Sequence, residues 1–143
     1  MKATEFVLAG EAMALFIARE EKPLEEVTQW ESAVAGAELN VAIGLARLGH
    51  RVSYLTALGD DVFGRVIRAF LKKNNISDAL AFTNPDRQTG FMLKGKVSRG
   101  DPPIQYFRKG SAASALGVEE TASCLDGREG GFLHMTGIFP PLS

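Results

Sequence analysis

Cysteine is almost missing from this sequence. Cys124 stands alone among 143 residues, so no internal disulfide can form, and the usage fits a reducing compartment with Cys124 as an inert buried thiol. Histidine is nearly as sparse. His50 and His134 are the only two, and with one cysteine at these spacings they give no metal-binding signature. An excess of one charge is absent too: 16 Lys and Arg against 17 Asp and Glu leave a formal net charge of −1. With no basic stripe, nucleic acid and charged membrane surfaces are poor partners. No apolar run approaches the roughly 20 residues of a bilayer-spanning helix, and Met1-Lys-Ala-Thr-Glu5 enters a strand-like run rather than a signal peptide. Repeats and low-complexity segments are lacking. So are the Gly-x-x-x-x-Gly-Lys-Ser/Thr and Gly-x-Gly-x-x-Gly loops that cradle phosphates. What these absences leave is a soluble, cytoplasmic globular chain of one domain's length, large enough for a real core.

Within that frame the patterning alternates between strand and helix. Glu5-Phe-Val-Leu-Ala-Gly10 reads as a short buried strand, of the kind found in parallel sheets covered on both faces. Ala14–Ala18 and Val27–Ala33 read as two further strands, separated by a charged connection broken at Pro23. The helix that follows, through Gly49, is apolar on nearly every side (Leu39, Val41, Ala42, Ile43, Leu45, Ala46, Leu48), which predicts a fully buried element. Asn40 lies in its first turn, just after the free backbone N–H groups at Gly36 and Ala37. Together these predict a polar pocket floor at a helix N-terminus. Arg51–Leu58 is β-rich, and Asp60 or Asp61 can cap a helix with Val62, Phe63, Val66, Ile67, Phe70 and Leu71 at helical spacing. Ala79–Phe82 predicts a short strand. Thr89–Val97 and Ile104–Lys109 flank Ser98–Pro103 as a hairpin, which cannot easily join a parallel core, so it joins 14–18 and 27–33 in a small second sheet. Lys109–Leu116 returns the chain through a small-residue helix start with Ser111 or Ser114 as cap. Glu119–Leu125 extends a surface helix, and Gly130-Gly131 leads into a buried strand at Phe132–Gly137 that carries His134.

Tyr106 and Arg108 are two apart on one predicted strand, hence on one face. A phenol beside a guanidinium can grip a carboxylate or vicinal hydroxyls, the guanidinium through a planar two-pronged fork.

Four stretches in register carry a family resemblance. Gly36-Ala-x-x-Asn40-x-Ala-x-x-x-Ala-x-Leu-Gly49 resembles the first signature of the PfkB, or ribokinase-like, carbohydrate kinases, with Ala37 in place of the usual Gly. Gly59-Asp-Asp-Val-Phe-Gly64 resembles that family's Gly-x-Asp-x-x-Gly step, read here as a turn and helix cap rather than a metal site. Tyr106-Phe-Arg-Lys-Gly-Ser-Ala-Ala-Ser-Ala115 and Phe132-Leu-His-Met-Thr-Gly-Ile138 are similar to the corresponding stretches of its 2-keto-3-deoxygluconate kinases. Gly10-Glu11 suits the same branch, and the absence of Asp from 12–18 lowers the ribose and nucleoside branches.

The resemblance implies a ribokinase-like three-layer α/β core with a parallel sheet, incomplete here, plus a small β-sheet lid. Core segments would be 1–13, 34–82 and 110–143, with lid strands within 14–33 and 83–109. It implies a sugar site formed by Gly36, Ala37, Asn40, Tyr106 and Arg108, with Arg108 near a substrate carboxylate. The full-length enzyme would use ATP and Mg²⁺ to phosphorylate 2-keto-3-deoxygluconate. A fructokinase-like or other ketose kinase, or an inactive sugar-binding fragment, are the alternatives. A homo-oligomer through the lid or an exposed core edge is also implied. The family's catalytic Gly-Ala-Gly-Asp motif, with its base and anion hole, does not occur in these residues. The stretch is therefore expected to be the N-terminal part of a kinase, with no catalytic residue and no bound cofactor of its own. Purified 1–143 should then show no ATP-dependent sugar phosphorylation. Turnover that co-purifies with the protein through successive columns would contradict this.

Overall fold

The computed structural model describes residues 5–126 and 131–137. The expected lead-in at Gly130 and the final Pro140–Ser143 lie outside the described residues, as do residues 1–4 at the start of the first core segment.

The chain alternates between two sheets. Strand β1 (Glu5–Ala9) lies in a parallel core sheet and β2 (Met13–Ala18) in a second sheet, with only Gly10, Glu11 and Ala12 between them. A single 3₁₀ turn at Leu24–Glu26 precedes β3 (Trp30–Ala35), which pairs antiparallel with β2. Helix α1 (Ala37–Arg47) and strand β4 (Arg51–Gly59) return to the core, followed by α2 (Val62–Lys73), β5 (Ile76–Ser77) and β6 (Ala81–Asn84). The hairpin β7 (Phe91–Lys94) and β8 (Ile104–Phe107) then completes the second sheet in the order β3-β2-β7-β8. A 3₁₀ turn at Ala113–Ala115, helix α3 (Val118–Leu125) and β9 (Phe132–His134) bring the chain back to the core sheet. There the order is β5-β4-β1-β9, with β6 also paired to β4, and every pairing is parallel.

Strand β4 is buried from Val52 to Gly59, on both its faces, as the centre of a parallel sheet must be. One face carries Leu8, Tyr54 and Leu58 against Leu39 and Ala42 of α1 and Ile67 and Leu71 of α2. The other carries Val7, Ala9 and Leu55 against Leu116, Cys124 and Leu125. The result is the expected three layers. Cys124 is half-buried, on the α3 side.

Several expectations need correction. Helix α1 is not buried all round: only Glu38, Leu39 and Ala42 are, while Val41 and Leu48 are 38% and 77% exposed. One stripe of the helix meets β1 and β4, and among the described residues nothing covers its back. The third strand starts at Trp30 and runs on to Ala35 rather than spanning 27–33. Its ladder with β2 extends from Ala18↔Trp30 to Met13↔Ala35, whereas the N–H groups of Thr28 and Gln29 donate to the Glu20 carboxylate instead. Strand β6 begins two residues late, because a turn from Asp78 to Ala81 precedes it. Strand β5 went unseen in so short an apolar signal. The return after Lys109 is a 3₁₀ turn, with Ser111 Oγ accepting from Ser114 N. Finally, β9 is exposed, not buried, at Phe132 (61%) and Leu133 (49%), since among the described residues only β1 pairs with it.

Asp61 is the cap of α2, accepting from Gly64 N at 2.8 Å. Its other oxygen accepts from Thr89 N at 2.8 Å, and Thr89 Oγ1 accepts from Gly59 N. This carboxylate therefore also fixes the point where the chain leaves the core for β7. Partial burial pushes the Asp61 carboxyl up, but hydrogen bonds from Thr89 and Gly64 outweigh it and hold the group below its ordinary 3.8. A carboxyl lowered by folding stabilises fully above its unfolded pKa, and that contribution is lost as pH falls through the folded value. Asp61→Ala should cost about 1–2 kcal/mol at neutral pH, as for a lost N-cap. In urea unfolding the gap between wild type and variant should close below pH 4; a gap independent of pH would refute the assignment.

Candidate functional site

Gly36, Ala37 and Asn40 come from the start of α1, and Tyr106 and Arg108 from the last strand of the second sheet and the residue after it, yet all five line one cavity of about 250 Å³. The remaining walls are Glu11, Met13, Ala35, Glu38 and Met92. The core contributes the first turn of α1, whose leading N–H groups have no intrahelical acceptor. Asn40 stands exposed at its rim. Gly36 caps the helix without a side chain and lies so close to the β1–β2 junction that a Cβ would sit 2.7 Å from the Glu11 carbonyl oxygen. The second sheet contributes Met92 and Tyr106, which are cross-strand partners.

Arg108 is the first residue beyond β8 rather than part of it. Its guanidinium lies 5.7 Å from the Tyr106 ring centroid, so the expected pair does share a face. The guanidinium is not wholly available to a ligand. Nε donates to Glu11 Oε2 at 2.7 Å, and Nη2 approaches the same oxygen at 2.5 Å. Glu11 Oε1 accepts from Ser111 Oγ at 2.7 Å. Glu11 is 3% exposed; a carboxylate that buried needs a cation and further hydrogen bonds to be tolerated, and it has both.

Glu38 is the second buried carboxylate, at 2% exposure. It accepts from both the backbone N–H and the hydroxyl of Thr136, tying α1 to the stretch after β9. Beneath the site Tyr54 is fully buried, with no hydrogen-bond partner for its hydroxyl among the described residues. Burial, reinforced by the charges of Glu38 and Glu11, pushes its phenol far up, so it stays neutral.

Neither glutamate was among the expected site residues. Glu11 was legible as a lone acid inside the apolar run Ala9–Ala14, and Glu38 as the one acid on a mostly apolar helix. Their partners, 97 and 98 residues away, were not. His134 is half-buried, with no partner for Nε2 among the described residues, and lies outside the cavity. No group of three or more His, Cys, Asp or Glu among the described residues is placed to hold a metal ion. No helix among them is long and apolar enough to cross a membrane.

The Tyr106 phenol of the small sheet and the Arg108 guanidinium just past its last strand thus share a cavity with a helix N-terminus on a three-layer α/β core. Comparison with known proteins places it further. The pfkB family carbohydrate kinase profile matches residues 3–143, and the chain belongs to that family. It is 43% identical to the 2-dehydro-3-deoxygluconokinase of Bacillus subtilis (strain 168), over 96% of this chain and 42% of that protein. A solved PfkB protein from Polaromonas sp. JS666 superposes with a TM-score of 0.89 at 43% identity, covering 99% of this chain and 47% of the other. An uncharacterized sugar kinase from Pyrococcus horikoshii, solved in complex with ATP, superposes at 0.74 with 26% identity, covering 80% and 37%. The chain thus spans less than half the length of the relatives it matches.

The close approach at Gly36 gives a direct test. The atom in the way is backbone, not a flexible side-chain end, so Gly36→Ala should force the β1–β2 junction apart. A stability loss of about 1–3 kcal/mol is expected in denaturant unfolding, as for overpacking. A change within 0.5 kcal/mol, typical of a neutral surface site, would show that the junction yields freely.

Proposed function

We propose that these residues form the sugar-recognition portion of a cytoplasmic, ATP-dependent carbohydrate kinase whose substrate is 2-keto-3-deoxygluconate. The observation that carries this reading is the convergence of Asn40, the α1 N-terminus, Tyr106 and Arg108 on one cavity. Hydroxyls of the sugar would meet Asn40 and the free N–H groups at Gly36 and Ala37. The substrate carboxylate would meet the part of Arg108 that Glu11 leaves free. In the full-length enzyme, ATP with Mg²⁺ would supply the γ-phosphoryl group transferred to a primary hydroxyl. The described residues offer no metal-binding cluster, and their role in this reading is to bind and orient the sugar. Self-association through the lid or an open edge of the core sheet belongs to the same reading.

A neutral ketose is the second reading, and one observation favours it. Glu11 offsets the charge of Arg108, and Glu38 adds another carboxylate to the cavity wall.

The two readings separate in a chimera in which residues 1–143 replace the matching segment of a full-length relative. Arg108→Ala should lower kcat/KM for 2-keto-3-deoxygluconate by about 2–5 kcal/mol in transition-state binding, and much less for fructose. Asn40→Ala should weaken both sugars, since it would contact hydroxyls common to them. Equal losses on both sugars from Arg108→Ala would reject the carboxylate assignment and favour the ketose.

A further inference from the structure

A guanidinium has two donor edges. One is formed by Nε–H and one hydrogen of Nη2, the other by one hydrogen from each Nη. In Arg108 the first edge is taken, since Nε and Nη2 both meet Glu11 Oε2. Nη1 makes no hydrogen bond to protein among the described residues, so the second edge is intact. A planar group held along one edge has its other edge fixed in direction, without rotation about the Nε–Cζ bond.

The carboxylate that holds it is itself immobilised. Its second oxygen accepts from Ser111 Oγ, which in turn accepts from Ser114 N. Its backbone lies in the three-residue junction between two sheets, where Gly10 N bonds to Leu55 O and Ala14 N to Gly90 O. Space for the carboxylate depends on Gly90, where a Cβ would stand 2.6 Å from Glu11 Oε1 and 3.4 Å from Arg108 Cβ.

We infer that Glu11 is a positioning residue: it clamps the Nε edge of Arg108 so that the Nη edge is presented to the cavity as a ready two-pronged receptor for a planar anionic group. This rests on the sugar-acid reading for the identity of the anion, but the clamp itself does not. Two effects are combined in Glu11, orientation and charge compensation, and substitutions separate them. Glu11→Ala removes both. Glu11→Asp withdraws the carboxylate by one methylene and breaks the clamp while keeping the charge. Glu11→Gln keeps a carbonyl oxygen for the Nε edge and removes the charge.

Two measurements test it. In the 143-residue chain, the Arg108 Nε–H resonance should be distinct and slow to exchange with water in wild type and Glu11→Gln, and lost into the solvent-averaged arginine signal in Glu11→Ala and Glu11→Asp. In the chimera, Glu11→Ala and Glu11→Asp should each raise KM for 2-keto-3-deoxygluconate about tenfold or more with little change in kcat, and shift fructose about threefold or less. Glu11→Gln should retain or raise the preference for the acid. Adding Glu11→Ala to Arg108→Ala should cost the acid sugar nothing further, because the clamp would have nothing left to hold. Thermal melts identify any variant that fails to fold, and Glu11→Gln against Glu11→Asp then carries the comparison. An Nε–H signal unchanged in Glu11→Ala and Glu11→Asp would overturn the clamp, as would additive losses shared equally by both sugars. If Arg108→Ala itself fails to discriminate, the substrate reading falls, and the Nε–H signal alone decides the clamp.

Discussion

A carboxylate buried at the seam of two sheets is the constraint to which the rest of this structure answers. A carboxylate buried there needs a compensating cation. Among the described residues the cation that reaches it is Arg108, which arrives from 97 residues further along the chain. Removing one member of such a pair leaves an uncompensated buried charge, at a cost of about 3–5 kcal/mol. The pair therefore fixes where the end of the second sheet can lie over the core. It does so at the cavity wall, so an electrostatic requirement of folding falls on atoms that also shape the cavity.

Two other contacts make that placement rigid. On the side of the second sheet away from the cavity, Phe16 and Phe91 meet Phe63 from the first turn of α2, and Phe107 stacks on Phe91, with ring centroids 4.5–6.4 Å apart. Edge-on and offset ring pairs of this kind add specificity of geometry to the burial of large apolar area. At the second crossing point, Asp61 and Thr89 hold Gly59 and Gly64 close, so the start of α2 and the start of β7 are one unit. The second sheet is thus pinned by an ion pair on one face, aromatic rings on the other and a capped turn at its root.

Much of this was legible in the order of residues because the informative signals are local. The alternation of strand and helix, the Asp61 cap, the hairpin around 98–103 and the separation into two sheets all follow from periodicity and turn chemistry. The five expected site residues were read from short motifs, and the cavity gathers all of them. What failed was what depends on distant partners. The apolar circumference of α1 reads as burial, but how much of it is covered depends on what packs behind Val41 and Leu48. The ends of β3 were misjudged because Glu20 competes with the ladder for Thr28 and Gln29. Glu11 was visible as an acid, but its meaning lies in Arg108 and Ser111, and no local window contains all three.

The register of the hairpin has a consequence for how this surface can change over time. Tyr106 stands opposite Met92 and Phe107 opposite Phe91, so neighbouring positions of one short strand serve the cavity and the aromatic cluster in turn. Lengthening or shortening the connection between β7 and β8 leaves that division intact. A one-residue shift within β8 does not, since it exchanges the two faces: a phenylalanine would enter the cavity, a tyrosine hydroxyl would enter the ring stack, and Arg108 would be drawn off Glu11. Length variation here is therefore free in the loop and forbidden in the strand, and the lining of the cavity must change by substitution, not by insertion.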